Sequence, residues 1–310
     1  MTADSTATAD SEASGTALRA FRVAYDGREY AGFQRQPHAR TVEGTLLRSL
    51  GKHGILDRGD GPTHATPPAY AAAGRTDAGV SAVAQTVAFE APRWLTPRAF
   101  NARLPGSVRV WAATDVPQGF HATHDAVRRT YRYHLYAPAS DEGSTDGADG
   151  DVRRTDAIDE ERARDALARL SGEHDFHNLT TDENGTVREV SASATRLGDL
   201  FVVEVTAGGF PRALVRRLVA AVRSVGRGTA DPELVDRLLG SEPVPGEFGV
   251  GPAPPEPLVL WDVTYDGVTF AVDREAAQSA RVAFGDRYRD ARHAAAATEA
   301  IRDRITDRVD

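Results

Sequence analysis

Between residues 18 and 116, stretches with apolar side chains at every second position are interleaved with stretches where they recur every third or fourth. "LRAFRVAY" (Leu18 to Tyr25) alternates as a strand, with Phe21, Val23 and Tyr25 on one face. A helix is predicted from Thr41 as N-cap, with Val42, Leu46, Leu47 and Leu50 on its inner side. "PAYAAAGRTD" reads as a strand ending in a short motif, and "SAVAQTVAFE" as the next, with Val83, Gln85, Val87 and Phe89 sharing a face. "TPRAFNARL" predicts a short helix capped by Thr96 with Pro97 in its first turn, and "SVRVWAATDV" a closing strand. The order is βαββαβ.

The second part of the chain predicts the same order. "RRTYRYHLYAP" is a strand, and "IDEERARDALARL" is a helix capped by Asp159. "VREVSASATRLGDLFVVEVTA" is a hairpin turning at Gly198-Asp199. "PRALVRRLVAAVRSVG" is a helix with Leu214, Val215, Leu218, Val219 and Val222 inward, and "EPLVLWDVTY" is the last major strand. Two βαββαβ units in tandem predict an α+β fold: two ferredoxin-like, split-βαβ halves with mostly antiparallel sheets and a cleft between them as the natural binding site. The expected division is an acidic tail without periodicity over 1–17, an N-terminal domain over 18–116, a C-terminal domain over 117–273 interrupted by an acidic Gly-rich loop over 138–154, and a helical extension over 274–310.

Composition narrows the class. Hydrophobic content of 41% and charged content of 26% over 310 residues are those of a globular chain with ample core. The N-terminus lacks the basic and apolar regions of a signal peptide, no apolar run is long enough to span a bilayer, and cysteine is absent. A cytoplasmic protein is the expectation. Net charge is -8, yet Lys52 is the single lysine, so the basic residues are almost all arginine. Acidity alone explains the net charge but not the missing lysine. The combination suggests a surface adapted to a salty cytoplasm, where screening tolerates self-repulsion.

The chemistry concentrates in "GRTDAGV" (Gly74 to Val80), where a lone carboxylate, Asp77, lies two residues after Arg75 and just before a strand. An isolated R-x-D in a turn is ordinarily a surface ion pair. Here the motif accompanies "YDGREYAGFQRQ" (Tyr25 to Gln36), "FHATHDAVRRTYRY" (Phe120 to Tyr133) and "GGFPRALVRRLVAAVRSVGRG" (Gly208 to Gly228). Together, in this order and spacing, the four blocks resemble the TruA family of tRNA pseudouridine synthases across nearly all of residues 18–270. The resemblance implies a two-domain α/β fold, a homodimer, and isomerisation of uridines in the anticodon arm of tRNA, on the 3′ side of the stem next to the loop. It implies no cofactor and no metal, and it makes Asp77 the nucleophile. A non-catalytic RNA-binding relative of the same fold is the alternative, but it would predict a broken motif, and Arg75, Asp77 and Tyr131 are all present.

The residues themselves suit that chemistry. Making pseudouridine means cutting the N1–C1′ bond, turning the uracil and rejoining at C5, without redox change. A carboxylate can attack C1′ or take a proton from C2′, and the sequence leaves both open. Either role needs the anion, and in an extended segment Arg75 can project the same way as Asp77 and favour it. Tyr131 alternates with Arg132 on its strand and, by resemblance, stacks on the target base and collects the C5 proton. Tyr133 reads as core. Arg216 is retained where "FPRALVR" departs from the family pattern at Pro211 and Leu214, and is expected to bind substrate and pair with Asp77 across the cleft, whereas Arg217 reads as a solvated neighbour. Ser81 stands where the family commonly has histidine. Arg22, Arg28, Arg35, Arg128, Arg129, Arg212, Arg217, Arg223 and Arg227 are candidates for contacts to RNA phosphates, and the target base must leave its stack. The pairs His121/His124 and His174/His177 each lack a third ligand at a fixed spacing, so a metal-dependent hydrolase is a weak reading.

Overall fold

The alternation from Leu18 forms β1 (Thr16–Tyr25), whose residues from Ala20 to Tyr25 are buried on both faces. The structure, a computed structural model, describes residues 15–56, 65–138, 156–246 and 249–306. The predicted tail over 1–17, except its last three residues, and the acidic loop over 138–154, except Pro138, lie outside the described residues.

The chain divides into two compact units, one comprising Met1–Val127 and Leu260–Arg287, the other Arg128–Val259 and Tyr288–Asp310. The expected division at 116/117 and 273/274 differs in that the chain re-enters the first unit at Leu260. In the first unit β1 pairs antiparallel with β3 (Ser81–Pro92) on one side and β4 (Val108–Asp115) on the other. The short β2 (Ala71–Ala72) adds to β3, and β10 (Ala271–Val272) adds to β4. Helices α1 (Val42–Lys52) and α2 (Pro97–Asn101) are capped by the Thr41 and Thr96 hydroxyls, as their sequences predict. Phe21 stacks on Phe89 at 5.1 Å and meets Phe100 edge-on at 5.7 Å. All three rings are fully buried, each worth roughly 1.5–3 kcal/mol in transfer free energy.

In the second unit the order of neighbours is β5 (Ala126–Tyr136), β8 (Leu200–Ala207), β7 (Val187–Leu197) and β6 (Gly172–Asp175). The three pairings are antiparallel. The β7–β8 hairpin turns at Gly198-Asp199 as predicted, with Gly198 at φ 56°. β8 buries alternate residues, among them Phe201, Val203 and Val205, with Arg164 of α3 (Glu160–Leu170) over the Phe201 ring; α3 packs on β7 and on α4 (Leu214–Gly226).

Several elements differ from prediction, among them the unpredicted short strands β6 and β10. The strand expected over Pro68–Asp77 shrinks to β2, because Pro68 has no N–H to donate and Ala69 takes φ 54°. The helix expected from Pro211 begins at Leu214, after Ala213 at φ 57°, a conformation costing a non-glycine residue about 1–2 kcal/mol. The short helix α5 (Glu233–Leu239), with Leu234, Val235 and Leu238 buried, was not predicted. β9 (Leu258–Tyr265) is followed by α6 (Arg274–Thr306), the expected C-terminal helix. Asp273 accepts the Ala276 N–H at its start, and Ala276 and Ala280 are buried. No helix among the described residues is long and apolar enough to cross a membrane.

Candidate active site

The turn carrying Asp77 is fastened from several sides. Tyr25, the last residue of β1, places its hydroxyl 2.8 Å from the Thr76 hydroxyl, both side chains buried. The Thr76 carbonyl accepts the Phe33 N–H at 3.0 Å, and the Gly74 carbonyl accepts the side-chain amide of Gln85 at 2.8 Å. Gln85 is fully buried on β3, and its own Oε1 accepts the Thr86 N–H. The turn closes by the Val80 N–H donating to the Asp77 carbonyl at 3.2 Å, with Gly79 at φ 83°.

The stretch after β1 forms the other half of this arrangement. A 3-10 turn over Gly27–Glu29, capped by Asp26, leads through Tyr30 and Gly32 to Phe33. Tyr30 accepts the Gly79 N–H on its carbonyl at 3.3 Å, and Ser81 accepts the Gly27 N–H on its hydroxyl at 3.0 Å. At Gly27 a Cβ would lie 2.0 Å from the Val80 carbonyl oxygen, so only glycine allows this approach. Gly32 has φ 97°, and a Cβ there would lie 3.0 Å from the Thr76 carbonyl oxygen. The "YDGREYAGF" and "GRTDAGV" blocks are therefore one packed unit of backbone. Along its outer edge Thr76 points inward, Arg75 is exposed and Asp77 is half-buried.

Asp77 and Arg75 belong to the first unit, Tyr131 and Arg216 to the second. Tyr131 is half-buried on β5, opposite Val205, and meets Phe210 edge-to-face at 5.3 Å. Two residues earlier, Arg129 is buried and donates to the Gly208 carbonyl, which ties the "GGF" block to this strand. Arg216 on α4 donates through Nε to the Ala253 carbonyl at 2.7 Å and accepts the Ala253 N–H on its own carbonyl at 3.1 Å. Tyr133 is core, as expected. Burial raises its phenol, against the opposing charges of Arg223 and Arg216.

Several expectations for the arginines are corrected. Arg22 is buried and donates to the Ala84 and Val263 carbonyls and the Thr86 hydroxyl, with its charge 3.4 Å from Asp262 and stacked over Phe270. Burial lowers its pKa, and it offers RNA no accessible charge. Arg129 is withdrawn in the same way. Arg217 is not a solvated neighbour, since it is half-buried and donates to the Val250 carbonyl at 2.8 Å. Arg28 pairs with Asp26 and Arg227 with Asp156, while Arg128 and Arg212 are exposed. The rings of His121 and His124 lie 4.1 Å apart, and His121 Nδ1 accepts backbone N–H groups from Thr123 and His124. Among the described residues no group of three or more metal-ligating His, Cys, Asp or Glu occurs.

Sequence reasoning missed the supports: Tyr25, Thr76, Gln85, Gly27 and Gly32. One signal was present in Gln85, a lone amide on the apolar face of a predicted strand, where a buried polar group demands a partner.

A family profile described as tRNA pseudouridine synthase matches residues 166–266. The tRNA pseudouridine synthase A of Haloarcula marismortui is 54% identical over 94% of this chain and 99% of its own length. That of Natronomonas pharaonis is also 54% identical, over 88% of this chain and 94% of its own. Both are from halophilic archaea, in keeping with the acidic, lysine-poor composition. The corresponding protein of Thermococcus kodakarensis is 36% identical over 87% of this chain and 92% of its own. The chain belongs to the tRNA pseudouridine synthase A family.

Proposed function

We propose that this isomerase makes pseudouridine in the anticodon arm of tRNA with Asp77 as the group that acts on the ribose. The observation that carries the reading is the Asp77 turn itself. Its backbone is held at Gly74, Thr76, Gly79 and Val80, while the carboxylate sits half-buried at the edge. A reacting group fixed this way loses little orientational freedom in the transition state. The carboxylate either adds to C1′ as uracil leaves with the N1–C1′ electron pair, or removes the C2′ proton to give a glycal. In both routes the freed uracil turns and C5 bonds to C1′, as the carboxylate leaves C1′ on the first route or the proton returns to C2′ on the second. The C5 proton then departs and N1 gains one. The sum is an isomerisation that consumes no oxidant, reductant or cofactor.

Tyr131 is the residue proposed to stack on the extruded base and take the C5 proton. Its edge-to-face contact with Phe210 fixes its ring. Arg75 and Arg216 are proposed to bind the substrate, with the Arg216 side chain oriented by the Ala253 carbonyl. The two units are proposed to be tandem βαββαβ halves. The order β4-β1-β3 with β2 on β3, and the order β5-β8-β7, support this. A homodimer acting in the cytoplasm completes the reading.

The test is pseudouridine mapping of tRNA incubated in molar salt with wild type and Asp77→Ala. Complete loss of product with tRNA binding retained is expected, and residual product would overturn the assignment. Tyr131→Phe is expected to bind tRNA and break the glycosidic bond but stall before release.

A further inference from the structure

We propose that Arg287, near the middle of α6, is a positioning residue for the Asp77 turn and acts through the segment that follows β1. The proposal deepens, and rests on, the reading of Asp77 as the reacting group. Arg287 Nη1 donates to Asp26 Oδ2 at 2.8 Å and Nη2 to Glu29 Oε1 at 2.5 Å. Those two carboxylates stand at the cap and at the last residue of the 3-10 turn Gly27–Glu29. One guanidinium thus grips the turn at both ends.

The grip is on a segment that cannot move alone. Gly27 lies against the Val80 carbonyl and bonds the Ser81 hydroxyl, and the Tyr30 carbonyl holds the Gly79 N–H. A shift at Gly27 or Tyr30 therefore displaces residues 79–81, immediately after Asp77. The other end of the linkage is also fixed. The first turns of α6 are anchored by the Asp273 cap and by the buried Ala276 and Ala280, so Arg287 reaches out from a secured rod. Every link in this path lies within one unit.

The ionic part is stronger than a surface pair. Only 8% of the Asp26 side chain is exposed and 25% of the Arg287 side chain, against a more open 40% for Glu29. Arg28 adds Nε and Nη2 bonds to Asp26 at 2.9 and 2.6 Å, and Arg40 bonds Glu29 at 3.0 Å. Arg28 and Arg40 lie within the same stretch of chain as their partners. Arg287 alone among these three cations comes from 261 residues away and ties the segment to another element.

The experiment compares wild type with Arg287→Gln and Arg287→Lys in the full chain, each checked for folding by circular dichroism. It measures single-turnover pseudouridine formation, tRNA affinity, and hydrogen exchange over residues 26–33 and 74–81. Arg287→Gln is expected to slow the single turnover by about tenfold with tRNA affinity changed less than about twofold, since misplacing a reacting group penalises the chemical step. Exchange should accelerate in both segments and not in β8. Arg287→Lys, which can hold one carboxylate at a time, should recover part of the rate. A wild-type turnover rate in Arg287→Gln, a loss confined to tRNA affinity, or unaltered exchange over 74–81 would each overturn the proposal. Asp77→Ala run alongside separates the two readings. Activity there strikes the role of Asp77 itself, whereas loss there beside a normal Arg287→Gln strikes only the positioning role.

Discussion

The hydroxyls of Tyr25 and Thr76 face each other at 2.8 Å inside the first unit, joining the end of the first strand to the residue before Asp77. Tyr25→Phe removes this bond and leaves the buried Thr76 hydroxyl without it, at a cost of about 1–3 kcal/mol. The expected result is a lower urea midpoint and a slower turnover at unchanged tRNA affinity. Equal stability of Tyr25→Phe and wild type in urea would show that the bond contributes nothing.

Gly27 supplies a sharper steric test. Its neighbour is the Val80 carbonyl, at a distance no Cβ tolerates, and that neighbour is backbone, which cannot rotate away like a side chain. Gly27→Ala must therefore displace either the 3-10 turn or residues 79–81. A stability loss of about 1–3 kcal/mol is expected from overpacking, together with a fall in turnover larger than that of Tyr25→Phe. Gly119→Ala is the control: it carries the strain of a positive φ, at 88°, which Gly27 does not, but has open space around the missing Cβ. A Gly27→Ala enzyme as fast as Gly119→Ala would refute the close-packing account.

How much of this was legible in the chain depends on distance along it. Periodicity and caps are local, so β1, α1, α2, α3 and the β7–β8 hairpin stand where the alternation, Thr41, Thr96, Asp159 and Gly198 place them. Asp77 and Tyr131 were legible only as members of ordered blocks, since an R-x-D or a strand tyrosine alone is ordinary. What holds the Asp77 turn was not legible. The partners of Tyr25 and Gly27 lie 51 and 54 residues away, and no pattern within a window of residues announces such a pairing. Asp26 caps a local 3-10 turn, but its carboxylate also receives an arginine 261 residues on. The Arg22 reading went astray for a related reason. Inward positions on a strand are normally apolar, and a guanidinium satisfied by carbonyls from β3 and β9 breaks that rule.

Asp26 gives the enzyme an acid limit. Burial by itself would raise its carboxyl, but hydrogen bonds and charge from Arg28, joined by Arg287, bring it down to about 2 from the ordinary 3.8. Between those values the unfolded chain binds more protons at this site than the folded one. The stabilisation is complete above the unfolded value and is lost as pH falls through the folded one. At neutral pH it amounts to about 2 kcal/mol. Asp26→Asn keeps a capping side chain and removes the charge. The stability gap between wild type and Asp26→Asn should be full at pH 6 and close between pH 4 and pH 2. A gap independent of pH would mean that the charge of Asp26 is not what stabilises the turn.

Arg22 and Arg128 should separate a structural arginine from an RNA-facing one. Arg22 is enclosed by the Ala84 and Val263 carbonyls, the Thr86 hydroxyl and the Phe270 ring, so Arg22→Met orphans acceptors in the interior. The expected cost is on the order of 3 kcal/mol, read as a lower urea midpoint. At a temperature where that variant is folded, the dependence of its tRNA affinity on salt should match wild type, because no phosphate contact has been lost. Arg128 is exposed at the start of β5. Arg128→Ala should leave the midpoint alone and, if its charge meets a phosphate, reduce the slope of log affinity against log salt by about 1. Molar salt compresses counterion release, so the slopes are best measured at the lowest salt in which the acidic chain stays folded. A change in slope for Arg22→Met would return that residue to the RNA surface, and an unchanged slope for Arg128→Ala would remove Arg128 from it.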